Sequence, residues 1–391
     1  MTRLLDLTRL VSRLGRGPLT GIDRVELAYL TQLLTMDDPL FGLVRSRAGF
    51  LLLNRAGCAG LADRVCGTVA LGPTDLLGRL IHRGKPLRAR AEADARRLAI
   101  ARTARPLLRR LLRDMADATY LNVGHANLTD RSLAAIRGAG LHVAVMVHDT
   151  IPLDHPAFAR PDTVKPFRAK MAAVARHANW VIHTTQDARG KTNAQLAALG
   201  RVPPGIVAAL GVPIPVPGAL PDNIPTDRPY FVTIGTIEPR KNHALLLDIW
   251  DRLGPDAPRL YIIGGRGWAD ATTFARLERL PQTVQVLSGL PDSAVAAVLQ
   301  NARALLFPSL AEGFGLPPVE AAAMGVPVVA SNLSVIRELL GDFAVYLNVA
   351  DSYSWLETIT TLAEASPKAL GRKKINPPNW ADHFKIVLSG L

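Results

Sequence analysis

Short apolar, β-branched runs recur through the C-terminal half of the chain, each followed by a stretch with helical spacing. The runs are PYFVTIGT (229–236), RLYIIGG (259–265), TVQVLSG (283–289), RALLFPS (303–309), VPVVAS (326–331) and FAVYLN (343–348). Helical patterns lie near 242–253, 270–280, 292–300, 317–324 and 333–340. Near-continuous apolar strands alternating with amphipathic helices predict a parallel sheet covered on both faces, a Rossmann-like domain. The N-terminal half is less regular. Strands are predicted at 3–8, 119–124, 141–149, 180–185 and 205–211, giving a second α/β domain. Within 40–80 only LVRSRAGFLLL has a reading, as a hairpin.

Residues 203–229 hold eight prolines, so neither helix nor central strand runs far beyond GIVAALG. This stretch is the expected linker. The expected division is 1–222 for one Rossmann-like domain, 223–377 for the other, and 378–391 for a closing helix. Ligands of open α/β sheets sit beyond the carboxyl ends of the strands, so two such domains place a site in the cleft between them.

The segment SLAEGFGLPPVEAAAMG carries two carboxylates, Glu312 and Glu320, on a loop and on the helix it opens. Pro317 or Pro318 fits the first helical turn. Gly313 and Gly315 let backbone approach a ligand closely. A helix start suits a phosphate, whereas carboxylates accept hydrogen bonds from hydroxyls. A sugar nucleotide offers both groups. The plainer alternative is a solvated Glu312 and a Glu320 that stabilises the helix start.

EGFGLPPVE resembles the E-x7-E signature of family 4 retaining glycosyltransferases, which have the GT-B fold of two Rossmann-like domains facing across a cleft. GTIEPRKNHALLLDIW (235–250), YIIGGRGW (261–268), VLSGLPDSAVAAVLQNARALLFPS (286–309), SNLSVIRELLGDFAVYLNVAD (331–351) and NWADHFKIVL (379–388) resemble the same family in the same order. The resemblance implies that 1–222 receives the acceptor and 223–377 holds the donor, with the closing helix crossing back. It implies that Glu312 contacts hydroxyls of the transferred sugar and that Glu320 holds the ribose. The backbone of Gly313, Phe314 and Gly315, with Leu316 beside them, would face the sugar and diphosphate. Retention at the anomeric carbon is implied as well.

Arg240 and Lys241, in EPRKN, follow a predicted strand and open a helix. Cations there oppose the helix dipole unless an anion compensates. A departing diphosphate is such an anion, and fixed charge in a partly dry cleft is often a large catalytic term. The family often has an arginine directly after the strand glycine; here that position is Thr236, so Arg240 and Lys241 share the role. GRGPLTGIDRVELAYL lacks G-x-G-x-x-G spacing and resembles the glycine-rich loop of the N-terminal GT-B domain, with Gly21 and Arg24 as ligand-binding candidates. VMVHDTIPLDHP places His148 and Asp149 at a strand end and resembles the H-D-x-x-P of these enzymes, where the histidine lies near the reacting sugar. His125 is an acceptor-side candidate. A buried structural role is the plainer reading of each histidine. Thr184 and Thr185 end the next strand and are expected to line the cleft.

Charge modifies this picture in one respect. The chain of 391 residues has a net charge of +13, and 79–113 holds twelve Lys or Arg against Glu92 and Asp94. Arg102, Arg105, Arg109 and Arg113 have the spacing of one helical stripe. Either the stripe is a solvated face or it meets anionic lipid, where each basic residue contributes about 1 kcal/mol. Cys58 and Cys66 form no zinc pattern and read as reduced thiols of a cytoplasmic protein. MTRLLDLTRLV has no leader-like apolar run, and no apolar window is long enough to span a bilayer, so membrane contact would be peripheral, on the inner face. No D-x-D occurs, so neither a metal nor another cofactor is expected: Arg, Lys and backbone amides would hold the diphosphate.

The EPRKN and GGRGW wording resembles bacterial mannosyltransferases of O-antigen, capsule or exopolysaccharide assembly. GDP-mannose is therefore the expected donor, and a glycan or lipid-linked glycan the expected acceptor. Rival readings are a GT-B sugar-nucleotide epimerase, a sugar-nucleotide sensor without activity, and a basic nucleic-acid-binding protein. The last explains the charge but neither glutamate, and no nucleic-acid recognition motif is present.

Overall fold

The computed structural model describes residues 1–17, 19–366, 371 and 373–391. Two sheets organise it. The first contains β1 (Arg3–Asp6), β2 (Leu40–Arg45), β3 (Phe50–Leu53), β4 (Ala99–Thr103), β5 (Thr119–Asn122), β6 (His142–Val147), β7 (Trp180–His183) and β8 (Gly205–Val207), in the order β4-β3-β2-β1-β5-β6-β7-β8. The second contains β9 (Tyr230–Ile234), β10 (Arg259–Ile263), β11 (Val284–Leu287), β12 (Leu305–Phe307), β13 (Val328–Ser331) and β14 (Val345–Leu347), in the order β11-β10-β9-β12-β13-β14. Every pairing in the second sheet is parallel. Its order reverses between β9 and β12, and the first sheet reverses between β1 and β5. Those are the switch points where an α/β sheet opens a crevice at its carboxyl edge.

Burial follows the pattern of the sequence. Leu4, Leu5, Tyr120, Leu121, Val143 to Val147, Phe231, Val232 and Leu305 to Phe307 are all buried, as strands covered on both faces require. The hairpin over LVRSRAGFLLL forms, with Gly42 opposite Leu53 and Arg45 opposite Phe50. The unassigned stretch after it becomes the helix Arg55–Cys66, whose Asn54 side chain caps the Gly57 amide.

Two expectations are corrected. The stripe Arg102, Arg105, Arg109 and Arg113 is not one helix. Ala99–Thr103 is an edge strand antiparallel to β3, with Arg102 opposite Leu51. Two 3-10 turns then flank the short helix Leu108–Leu111. Pro106, inside the first turn, cannot donate a helical hydrogen bond, and the open edge of β3 takes the extended segment instead. Second, part of the basic run is internal. Glu92 and Asp94 are 1% exposed, and Arg88 lies 2.9 Å from Glu92. Arg64 lies 2.9 Å from Asp94, Arg97 also pairs with it, and Arg96 lies 2.6 Å from Asp75. A short helix, Thr8–Arg13, lies between β1 and the glycine-rich loop.

The last helix, Trp380–Gly390, rests on the first sheet rather than the second. His383 is 2.8 Å from the Tyr29 hydroxyl and 3.0 Å from the Ala209 carbonyl. Phe384 and Val387 are buried, and Trp380 stacks on Phe384 at 5.4 Å.

Candidate functional site

The loop after β9 and the loop after β12 meet at the switch point of the second sheet. The Leu310 amide donates to the Arg240 carbonyl at 2.7 Å, and the Ser331 hydroxyl donates to the Ser309 carbonyl. This clamp aims three predicted site residues at one another. Lys241 Nζ donates to Glu312 Oε1 at 2.6 Å, and Arg240 Nη1 donates to Glu312 Oε2 at 2.6 Å. Arg240 Nε also lies 2.5 Å from Glu238 Oε1. Lys241 Nζ sits 4.7 Å from the centre of the Phe307 ring.

Arg240 and Lys241 were expected to await an outside anion. In the structure their compensating charges come from the chain itself, Glu238 and Glu312, because the β12 loop is pinned against the β9 loop. Burial opposes ionisation of Glu312, but Lys241 and Arg240 outweigh it, and the carboxyl stays below its ordinary range. Burial pushes Glu238 up, with Arg240 opposing. Burial also lowers the Lys241 ammonium, against the pull of Glu312.

Gly313 permits a close approach between the two halves. A Cβ there would fall 2.8 Å from the His148 carbonyl oxygen and 2.9 Å from Asp149 Cβ. Gly315 caps the helix Leu316–Ala323 with φ +100°, a conformation open to glycine at little cost. Pro317 and Pro318 occupy that helix's first turn and carry no N–H. The backbone donors of this segment are therefore the amides from Gly313 to Leu316, which precede the first full turn. Phe314 is buried beneath them.

Glu320 lies farther along the same helix, where burial raises its carboxyl and Arg24 opposes the shift. Arg24 comes from the first half of the chain: its Nη1 is 3.8 Å from Glu320 Oε1 and its Nη2 2.7 Å from Asp292 Oδ2. A Cβ on Gly21 would stand 3.4 Å from Leu316 Cδ1. The helix starting at Gly21 thus abuts the one starting at Leu316.

His148 and His125 lie beyond β6 and β5 with ring centres 5.0 Å apart and planes tilted by 54°. His148 Nε2 is 2.7 Å from the Val123 carbonyl, and His125 Nε2 is 2.9 Å from the Met146 carbonyl. A carbonyl only accepts, so His148 Nε2 carries the proton; His125 Nε2 also faces the His148 amide, 3.4 Å away. Burial holds His148 down at about 4, leaving Nδ1 the ring's only basic position near neutral pH. Asp149 accepts from the Ile151 amide at 3.2 Å, and burial raises its carboxyl. Thr184 donates to the Gly313 carbonyl at 3.4 Å.

Of these groups Asp149, Glu312 and Gly313 border one opening between the halves, which Thr150, Asp154 and Lys191 also line. Sequence reasoning did not single out Thr150, Asp154, Lys191 or Glu238. Their signal was position: Thr150 and Asp154 fall in the quoted TIPLD, Lys191 follows the Thr184–Thr185 strand end, and Glu238 opens EPRKN. Two contacts brace the opening. Glu338 accepts from the Gln186 amide at 2.7 Å and the Asp187 amide at 3.0 Å, and Trp268 Nε1 donates to the Phe158 carbonyl at 3.0 Å.

Comparison with known proteins adds to this geometry. Residues 221–371 match the family described as glycosyl transferases group 1. The chain is 28% identical over 282 residues to the serotype-specific mannosyltransferase WbdA of Escherichia coli, an alignment covering 66% of this chain and 34% of that protein. It is 33% identical over 149 residues to the O-antigen chain mannosyltransferase RfbU of Salmonella typhimurium, covering 37% and 40%. The chain thus spans about a third of the length of WbdA. The solved structure of Anabaena Alr3699/HepE in complex with UDP superposes with a TM-score of 0.61 at 16% identity over 100% of both chains, a likeness of fold. Residues 221–371 thus match a glycosyl transferases group 1 domain, and the chain has the GT-B fold and is similar in sequence to bacterial mannosyltransferases.

Proposed function

We propose that the chain transfers a sugar from a nucleoside diphosphate donor to a saccharide acceptor in bacterial O-antigen or related polysaccharide assembly, with retention at the anomeric carbon. The observation that carries this reading is the convergence of Arg240, Lys241 and Glu312 at the switch point of the group 1 domain, beside the amides from Gly313 to Leu316. Two cations and a row of amides suit a diphosphate leaving group. Glu312 and Glu320 suit sugar and ribose hydroxyls. When the donor enters, its diphosphate takes over the cations that Glu312 now holds, and the freed carboxylate turns to hydroxyls. His148 and Asp149 face this point from the opposite half and orient the sugar or the acceptor.

The donor is GDP-mannose in this reading, supported by the mannosyltransferase names of WbdA and RfbU. No metal takes part: Arg240 and Lys241 supply the charge. The experiment is a thermal-shift screen of GDP-, UDP-, ADP- and dTDP-sugars, followed by a transfer assay with the stabilising donor. A ligand that binds the folded state raises its melting temperature. GDP-mannose should stabilise most, and transfer should survive EDTA. Stabilisation by no sugar nucleotide, or a strict metal requirement, would contradict the reading.

A lipid-linked acceptor agrees with a second surface. Leu76, Leu80 and Leu87 are 78%, 65% and 43% exposed, and Arg79, Arg83 and Lys85 are exposed among them. Exposed leucines among unpaired-sign cations suit an anionic bilayer surface. Among the described residues no helix is long and apolar enough to cross a membrane.

A further inference from the structure

We propose that Glu338 is a latch between the two halves: its carboxylate closes the cleft by capping the helix Gln186–Ala197, and so positions the first half's wall of the opening against Glu312. The contact stands on its own geometry; its bearing on transfer rests on the glycosyl-transfer reading above.

The helix Gln186–Ala197 follows β7 and begins at the cleft. Thr185 caps it locally, its hydroxyl accepting from the Ala188 amide at 3.0 Å. The amides of the first two helical residues have no partner within the helix. Glu338 takes both. Its Oε1 accepts from the Gln186 amide at 2.7 Å and its Oε2 from the Asp187 amide at 3.0 Å. It stands 152 and 151 positions away in sequence, on the helix Ser334–Leu340 that follows β13 in the second half. Among the described residues the Glu338 carboxylate has no other hydrogen-bond or ion-pair partner. Free amides and the helix dipole both favour a negative charge at this place.

The capped segment leads straight into the opening. Asp187, Ala188 and Lys191 line it from the first half, and Ala311, Glu312 and Gly313 from the second. Asp187 is held at both ends: its amide by Glu338, and its carboxylate by Lys191 Nζ at 2.6 Å. Thr184, two residues before the helix, donates its hydroxyl to the Gly313 carbonyl at 3.4 Å. Residues 184–187 are therefore fastened to the second half at Gly313 and again at Glu338. In the second half, the Ser331 hydroxyl at the end of β13 donates to the Ser309 carbonyl. That bond ties the strand leading to Glu338 to the loop carrying Glu312.

Thr185 already caps this helix from adjacent sequence, so a second cap from the far half adds closure rather than helicity. Glu338 and Gln186 are both exposed. Water competes for an exposed contact, so closure gains only a small difference and the latch is reversible. Such a joint suits a cleft that opens for substrates to enter and products to leave. Glu338 is a positioning residue: it acts through Asp187 and Lys191.

The test is amide hydrogen exchange on the full chain without ligand, comparing the native protein with Glu338→Ala and with Glu338→Gln, which keeps one accepting oxygen. In Glu338→Ala exchange should quicken at 186–187, and also at 148–155 and 309–315, which face each other across the opening and make no bond to Glu338. The factor at those two segments should be about threefold to tenfold, the discounted worth of an exposed carboxylate on two helix amides. Glu338→Gln should fall between. The closing helix, Trp380–Gly390, makes no bond to Glu338 and should keep native exchange. Quickening confined to 186–188 reduces Glu338 to a helix cap and overturns the latch. Quickening that extends equally to Trp380–Gly390 marks a general loss of stability and overturns it too. Transfer supplies an independent readout: Glu338→Ala should lower kcat by a similar factor and leave affinity for free nucleoside diphosphate unchanged. Native kcat in the variant overturns the positioning role. Absence of transfer by the native protein bears on the proposed function alone, and the exchange result then decides the latch.

Discussion

The Glu312 carboxylate holds the Lys241 ammonium at 2.6 Å and so occupies a charge that a diphosphate would use. Carboxylate and ligand compete for the same cation. Glu312→Gln should therefore bind free nucleoside diphosphate more tightly than the native protein and yet lose transfer, because the hydroxyl acceptor is gone. The variant should also lose about 3 kcal/mol of stability, since it strands two buried cations. Calorimetry with the free nucleotide decides: unchanged or weaker binding removes the competition. Arg240→Ala with Lys241→Ala should lower turnover by about two orders of magnitude or more.

Glu320 gives a different signature. Burial raises its carboxyl, so the ionised form that accepts hydroxyl hydrogen bonds is lost at a higher pH than for an exposed glutamate. Donor affinity should fall as pH drops through that raised value. Glu320→Ala should weaken the donor about tenfold and flatten the profile. An affinity that keeps its pH dependence in the variant assigns the titration elsewhere.

His383 connects pH to the closing helix. Its Nδ1 faces the Ala209 carbonyl, so Nδ1 carries the proton and Nε2 accepts from the Tyr29 hydroxyl. Burial lowers the ring from 6.5 to about 4, so the native state resists a proton that the unfolded chain takes up. This contribution is complete above 6.5 and is lost as pH falls toward 4. His383→Leu should cost about 1–3 kcal/mol at neutral pH and less at pH near 5, where the native ring is a liability. Melting temperatures of both proteins at the two pH values measure it; a gap that widens on acidification contradicts the argument.

Leu76→Glu with Leu80→Glu should abolish sedimentation with vesicles rich in anionic lipid while leaving melting temperature and donor binding unchanged. Both side chains are exposed, so substitution leaves no cavity. Co-sedimentation equal to the native protein would move the membrane contact to another face.

The strands were legible because parallel sheets demand apolar runs, and Val143 to Val147 or Leu305 to Phe307 admit no other reading once helices flank them. The loops after them were legible as chemistry, since Glu312, Arg240 and Lys241 are costly to bury without partners. What the chain did not display was pairing across distance. Nothing local to Arg240 announces that Glu312 neutralises it, or that Arg24 reaches Asp292. The segment 99–113 misled because arginine spacing looks helical whether or not an open strand edge nearby is waiting for an extended partner.

The helix Trp380–Gly390 has a bearing on how the molecule is made. Tyr29 and the end of the first sheet find their cover in residues translated some 350 positions later. While the ribosome is still producing the second sheet, the earlier half must exist with an uncovered apolar face. Its maturation is thus coupled to completion of the later half, and a premature stop before Trp380 would strand an aggregation-prone intermediate rather than release a free-standing first half.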